Sequence, residues 1–353
     1  MRNKTIDIAK GLGILFVVLG HNWITFTGSG ELYNVIYSFQ LLLFFYLSGI
    51  FHNQNRPLAS LAARKADALL KPYFVVLLVV GIVKSIYTGK TSLLYFLGIL
   101  YANGNTIDWT PLWFLPHLFA VVIFDWVIIK TCADIIKRPE VLWFLVALFL
   151  LIGGLPMRLF WLRPLPALGF SSHPLLSGMT LEGLPFNLDI ILIPSAYFLL
   201  GHLTSEKALQ FKPDPILLIT AFVTFIGLHY FFNETMDLNY RRYGNVIICA
   251  LQTLTATYVV LSLASMINGW SPSRTIFSYI GEASLIILLF HAPLQDSIYA
   301  ALQGSYSYHP VRHGLMAFLG SVAGSLLIYE IIGRTKWLCA LIMPLPHYTT
   351  KKA

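Results

Sequence analysis

The sequence predicts an all-α bundle that crosses a membrane about ten times, and three observations carry that prediction. Of 353 residues, 57% are apolar and only 11% are charged, against about 25% charged in an ordinary soluble domain. So few charges cannot cover a soluble surface, and so much apolar content excludes a disordered chain. The apolar residues form unbroken runs such as Val75-Val76-Leu77-Leu78-Val79-Val80. A membrane β-strand would alternate instead, so the spans are read as helices. Ten spans of about 20 residues leave only short loops, which makes residues 1–353 a single transmembrane domain by expectation.

The predicted spans are 6–24, 33–51, 72–88, 112–130, 141–157, 187–204, 215–232, 244–266, 276–293 and 314–333. The first starts from a basic segment, Arg2 and Lys4, but it contains Asp7, Lys10 and His21. That is a poor core for a cleaved signal, so a retained helix is expected. Runs 91–101 and 337–345 are too short to span and read as re-entrant or interfacial. The segment 56–72 reads as a short basic loop leading into the third span. The loop 158–186 contains several prolines, lacks a transmembrane pattern and is a candidate cover for an outward-facing site. No repeat of transporter type and no low-complexity tract is evident.

The formal charge is +8, from 24 Lys+Arg against 16 Asp+Glu. With both termini inside, 17 of the 24 basic residues fall in inner segments, which predicts N-in and C-in. The excess is therefore read as topology and contact with membrane lipid, with no nucleic-acid partner. Cys132, Cys249 and Cys339 are scattered without metal-ligand spacing. They read as small buried hydrophobes, and no metal is expected.

Ionisable residues within spans are costly and mark candidate sites. The 11 steps from Lys10 to His21 close to within about 20° of three helical turns, so both share one face, about 16 Å apart along the axis. Asp7 stands one turn from Lys10 and is placed to pair with it. Lys10 alone also fits a cation snorkelling to the inner headgroups, and His21 a polar anchor at the outer interface. His117, His229 and His291 are placed near the outer ends of their predicted spans, and His52 and His202 on the inner side. Arg64, Lys65 and Lys71 read either as an orientation signal touching anionic lipid or as an anion site for phosphates. Gly11, Gly13 and Gly20 read as close-packing positions, and Trp113-Phe114 as part of an interfacial belt.

Five segments in order resemble the membrane-bound acyltransferase-3 family. The first is Asp7-Ile8-Ala9-Lys10 followed by ten residues and His21. The second is the aromatic run Phe44-Phe45-Tyr46-Leu47-Ser48-Gly49. The third is Lys71-Pro72-Tyr73, the fourth Leu112-Trp113-Phe114-Leu115-Pro116, and the fifth Gly281-Glu282-Ala283-Ser284 through His291. Together they span residues 6–291. The family usually has Arg where this chain has Lys10, and lysine keeps the charge while losing the bidentate fork. The lysine form with Leu-Trp-Phe-Leu-Pro looks like the fucose 4-O-acetylase-like subgroup.

The resemblance implies transfer of an acyl group, acetyl by default, from cytosolic acyl-coenzyme A (acetyl-CoA) to a hydroxyl of a sugar, polysaccharide or lipid-linked glycan precursor, in a bacterial inner membrane. It implies that His21 acts as general base or acyl-accepting nucleophile, with His117 or His291 orienting the acceptor or stabilising the oxyanion. Lys10, Asp7, Arg64, Lys65, Lys71 and Tyr73 would serve the donor, and Trp113 and Glu282 the acceptor. A proton-coupled transporter or flippase is the alternative, and a structural membrane subunit a third reading.

Overall fold

A computed structural model describes residues 3–26, 30–89, 93–138, 140–164, 180–303 and 309–345. The middle of the 158–186 loop, residues 165–179, lies outside the described residues. In chain order the helices are α1 (Lys4–Gly20), α2 (Glu31–Tyr37), α3 (Gln40–Ile50), α4 (Leu58–Lys65), α5 (Lys71–Thr88), α6 (Leu93–Tyr101), α7 (Phe114–Lys130), α8 (Glu140–Ile152), α9 (Gly154–Phe160), α10 (Leu192–Leu203), α11 (Ser205–Leu209), α12 (Pro215–Phe231), α13 (Val246–Asn268), α14 (Ser271–Glu282), α15 (Ser284–Gln303), α16 (Pro310–Arg334) and α17 (Lys336–Ile342). Two short antiparallel pairs interrupt them: β1 (Trp161–Pro164) with β2 (Thr180–Glu182), and β3 (Met236–Asp237) with β4 (Arg242–Tyr243).

This is an all-α polytopic membrane protein. Every predicted span meets a helix. Among the described residues, six helices are long and apolar enough to cross a membrane, and the bent pair α8–α9, angled by 41°, makes a seventh. The helices at the first, sixth and seventh predicted spans are shorter, at 17, 12 and 17 residues. Side-chain caps set several starts. Asn3 accepts from the Ile6 amide at 3.1 Å, Asp214 from Leu217 at 2.9 Å and Asn245 from Ile247 at 3.0 Å, each satisfying an orphan N–H of a first turn.

Two expected boundaries are corrected. The segment 56–72 is not a loop, because helix runs without a break from Leu58 to Thr88. Leu58-Ala59-Ser60-Leu61-Ala62-Ala63 is a strong helix-forming stretch, and Pro57 precedes it as the cap. Pro72 does not break the run because the preceding turn widens. The Lys71 amide reaches back five residues to the Ala66 carbonyl, so residues 66–70 form a π-turn. The span expected at 276–293 straddles two helices that meet at Ala283, and α15 itself runs 20 residues, Ser284–Gln303. His291 is thus its eighth residue, well inside the helix and not near its end.

The chain forms two compact units. The first comprises residues 1–52, 197–237 and 242–336. Within it α1 is central, packed on α3, α13, α14 and α15. The crossings are made by bare glycines. A Cβ on Gly11 would strike the Phe277 carbonyl oxygen, and one on Gly281 the Asp7 carbonyl oxygen. Gly49 against Phe198 and Gly201 against Tyr46 repeat the pattern. In hydrocarbon, where burial gives helices little reason to associate, such backbone approach is what packing uses.

The second unit comprises residues 53–196, 238–241 and 337–353. There the α4–α5 helix packs on α7 and on α6. The Tyr73 hydroxyl donates to the Ile99 carbonyl at 2.9 Å, and the Trp126 indole to the Arg56 carbonyl at 3.0 Å. Asp67 takes the Lys71 ammonium at 2.7 Å and the Leu345 amide at 2.7 Å, which ties the segment after α17 to the π-turn.

Gly11→Ala and Gly281→Ala should each lower stability by about 1–3 kcal/mol, the cost of overpacking a tight contact. Gly154→Ala should change little, since open space surrounds that position. Thermal unfolding of the three variants in detergent checks the contrast, and equal midpoints would refute the glycine crossings.

Candidate active site

In the first unit two parallel paths of equal length converge. α14 crosses α1 where Gly281 meets Asp7 and Gly11. From Gly11 the chain climbs ten residues to His21, and from Gly281 it climbs ten residues to His291, each about 15 Å by helical rise. The two imidazoles arrive side by side, ring centroids 5.5 Å apart and tilted by 46°. His21 is the C-cap of α1, and its backbone N–H still bonds the Val17 carbonyl at 3.2 Å. Tyr37 stands edge-on to His21 at 6.2 Å.

His291 is fully buried. Its Nδ1 lies 2.9 Å from the Ile287 carbonyl and 3.0 Å from the Leu288 carbonyl. A carbonyl only accepts, so Nδ1 carries the proton and Nε2 the lone pair of the neutral ring. That Nε2 has no hydrogen-bond partner among the described residues. Neither has Oε1 of Gln40, a buried amide that packs against Gly20, the residue before His21. Buried polar atoms are almost always satisfied. Both atoms are hydrogen-bond acceptors, one on the ring beside His21 and one beside Gly20.

The residues next to His21 hold the pair in position. Asn22 Nδ2 donates to Gln295 Oε1 at 2.6 Å and to the Gly314 carbonyl at 2.8 Å, joining the end of α1 to α15 and α16. Trp23 stacks on Tyr299 with centroids 4.1 Å apart. Tyr33 stacks on Tyr37 at 3.9 Å and donates a short hydrogen bond to buried Asp237.

Lys10 lies on the same unbroken helix as His21, with its ammonium 5.1 Å from the Phe51 ring centroid, a cation–π contact. Asp7 is buried at the crossing with α14. Glu282 closes α14 and pairs with Lys4 at 3.4 Å. Its neighbour Gly281 lies at the Asp7–Gly11 crossing, about 15 Å below His21 by helical rise, so Glu282 and His21 are not brought together. His229 contacts Ser38 Oγ at 3.2 Å and the Gln252 amide at 3.4 Å. The His52 and His202 rings lie 5.5 Å apart.

The remaining candidates belong to the second unit. Tyr73 is a core residue with its hydroxyl committed to Ile99. Lys71 is held by Asp67 and by the Met343 carbonyl at 2.7 Å, so its ammonium is already engaged. Arg64 and Lys65 occupy the last turn of α4, and Arg56 lies within electrostatic reach of Arg64. His117 is fully buried in the first turn of α7, and Trp113 lies 5.5 Å from it, ring to ring. His117 Nδ1 lies 2.9 Å from the Phe186 carbonyl. Among the described residues no group of three or more His, Cys, Asp or Glu side chains is arranged to hold a metal.

Sequence reasoning missed several buried polar groups. Asp125 is fully buried in α7 near Ser195, and a lone acid within an apolar run was the signal available for it. Arg241 is buried and paired with Asp189. No local pattern links residues 52 positions apart. Gln40 and Asn22 carried only the weak signal of an amide at the edge of an apolar run.

The site is thus a pair of imidazoles, His291 fully buried and His21 part-buried, in a helical membrane bundle. The family comparison makes this specific. A family described as an acyltransferase domain, of the acyltransferase-3 type, matches residues 3–330, and the chain belongs to that family. It is therefore a membrane acyltransferase. No curated protein and no solved structure gives a match.

His291→Ala should reduce acyl transfer by about 10²–10⁴-fold, the range of a positioned acid or base, while the unfolding midpoint stays within a few degrees. Turnover and melting measured on one preparation check this, and wild-type turnover would dismiss His291.

Proposed function

We propose that the protein transfers an acyl group, acetyl by default, from cytosolic acyl-coenzyme A to a hydroxyl of a surface sugar or its lipid-linked precursor in a bacterial inner membrane, with both termini inside. The observation that carries the reading is the His21–His291 pair with the unsatisfied Nε2 and Gln40 oxygen beside it.

In the direct route the acceptor oxygen attacks the thioester carbonyl while His21 takes the hydroxyl proton. The tetrahedral intermediate then expels the thiolate, and the imidazolium returns the proton to sulfur as the ester forms. In the two-step route His21 is acylated first and the thiol leaves protonated. The acceptor then displaces the histidine. In both, Nε2 of His291 accepts from a hydroxyl next to the attacking one and so orients the acceptor. The Gln40 carbonyl oxygen, an acceptor too, holds a second hydroxyl of the sugar.

Lys10 supplies a cation for the phosphates of the donor. It lies about 16 Å below His21, a separation suited to a nucleotide at one end of a pantetheine arm and a thioester at the other. Arg64 and Lys65 lie in the last turn of α4, in the helix that runs on into α5. The internal bonding of Lys71 and Tyr73 makes them supports for that helix.

His21→Ala should abolish release of labelled acetyl from acetyl-CoA to glycan while leaving the protein folded. Near-normal turnover would remove His21 from the chemistry. Lys10→Ala should weaken acetyl-CoA binding at least tenfold, and Lys10→Arg should retain it; equal affinities in a titration of the purified variants would sink the phosphate role. Mass spectrometry of surface polysaccharide from cells with and without the gene reports acyl mass and acceptor together. An unchanged glycan would refute the acceptor class.

A further inference from the structure

We propose that Arg241 is a positioning residue for His117, acting through the left-handed turn at Phe186 and Asn187. The proposal rests on the acyl-transfer reading where it ties His117 to turnover, but its structural content stands apart from that reading.

The contacts form one chain within the second unit. Arg241 Nε donates to Asp189 Oδ2 at 2.8 Å and Nη2 to Oδ1 at 2.9 Å. This is a bidentate pair, with side-chain exposures of 1% and 0%. Nη2 also donates to Asn187 Oδ1 at 2.9 Å and Nη1 to the Asn239 carbonyl at 2.7 Å. The guanidinium lies 4.8 Å from the Trp161 ring centroid. Asp189 Oδ1 in turn accepts from the Leu184 amide at 2.8 Å. Both ends of the turn at 184–189 are thus tied to one guanidinium.

The turn is strained. Phe186 and Asn187 adopt φ of 56° and 55°, and Arg241 itself 53°. Left-handed conformations at such residues cost of order 1 kcal/mol or more each and persist only where surroundings impose them. Gly183, at φ 86°, adds a position that only glycine fills without strain, because a Cβ there would strike the Arg241 guanidinium. The geometric outcome of this strain is the direction of the Phe186 carbonyl, which receives His117 Nδ1 at 2.9 Å. Since the carbonyl can only accept, the bond keeps the His117 proton on Nδ1 and presents Nε2 as the lone-pair nitrogen. The arginine fork fixes one unfavourable backbone geometry whose carbonyl selects a histidine tautomer.

The test uses full-length protein labelled with ¹⁵N-histidine, with His117→Ala identifying the His117 signals. Wild type should show protonated Nδ1 and unprotonated Nε2 at His117. Arg241→Lys, which keeps the charge and loses the fork, should give a mixed tautomer. Asn187→Gly removes one guanidinium contact, tolerates the left-handed backbone and should move the signals the same way, which covers the case where Arg241→Lys does not fold. An unchanged tautomer in either folded variant overturns the proposal. In membranes that carry the native glycan, thiol release from acetyl-CoA should fall about ten- to a hundredfold in Arg241→Lys, part of what a positioned base contributes. In a His117→Ala background the same substitution should add no further loss. Additive losses would show that Arg241 acts elsewhere and overturn the link to His117. Absence of thiol release in wild type would instead refute acyl transfer and leave the tautomer result to judge the positioning role.

Discussion

The contact on which the first unit depends is the backbone crossing of α1 and α14 at Gly11 and Gly281. Each helix presents a bare Cα to the other's carbonyl oxygen, and no larger residue allows that approach. The crossing fixes the axial level of α1 against α14, and α15 follows α14 after a single intervening residue, Ala283. Ten residues then rise from the crossing to His21 along α1, and ten to His291 across the α14–α15 junction. Equal rise per residue makes equal count equal height. The imidazoles therefore meet because of a packing constraint some 15 Å below them. The Asn22–Gln295 bond closes the same frame at the upper end.

Departures from regular helix fall where polar groups need a particular direction. Pro72 lacks an N–H and crowds the turn behind it. The chain answers with a π-turn, and Asp67 within that turn collects both Lys71 and the Leu345 amide. Pro293 removes the donor to the Leu289 carbonyl in α15, beside the carbonyls of Ile287 and Leu288 that accept from His291. The left-handed pair at Phe186 and Asn187 aims a carbonyl at His117. In each case a local rule of helix geometry is broken beside a side chain that needs a second partner.

The sequence revealed what periodicity and hydropathy encode. Helix α1 with Lys10 and His21 on one stripe was legible because a single element carries both residues. The ten apolar segments were legible because lipid makes each helix satisfy its own backbone. The boundary at Ala283 was not, because no proline marks it and the backbone leaves the helix at that one residue only. The helical course of 56–72 was hidden by its charge and by two prolines, although its alanines favoured helix. Glu282 was assigned to the acceptor by the resemblance. Its pairing with Lys4 is a fact of tertiary structure. The Arg241–Asp189 pair was least legible, since it joins distant residues across a loop.

That buried pair also separates stability from function in this fold. Removing one member of such a pair costs about 3–5 kcal/mol, mostly from the stranded charge, yet replacing both by apolar groups is often neutral or favourable. The pair therefore does not explain itself as a stabiliser, least of all in a chain with only 11% charged residues. What an apolar substitute would lose is direction. Leucine side chains can fill the volume, but they cannot hold Leu184, Asn187 and Asn239 at fixed distances from one plane. The strained carbonyl of Phe186 needs that plane, and the proton on His117 Nδ1 needs that carbonyl. Where charge is scarce, a buried arginine that specifies a single histidine tautomer has a physical reason to be there.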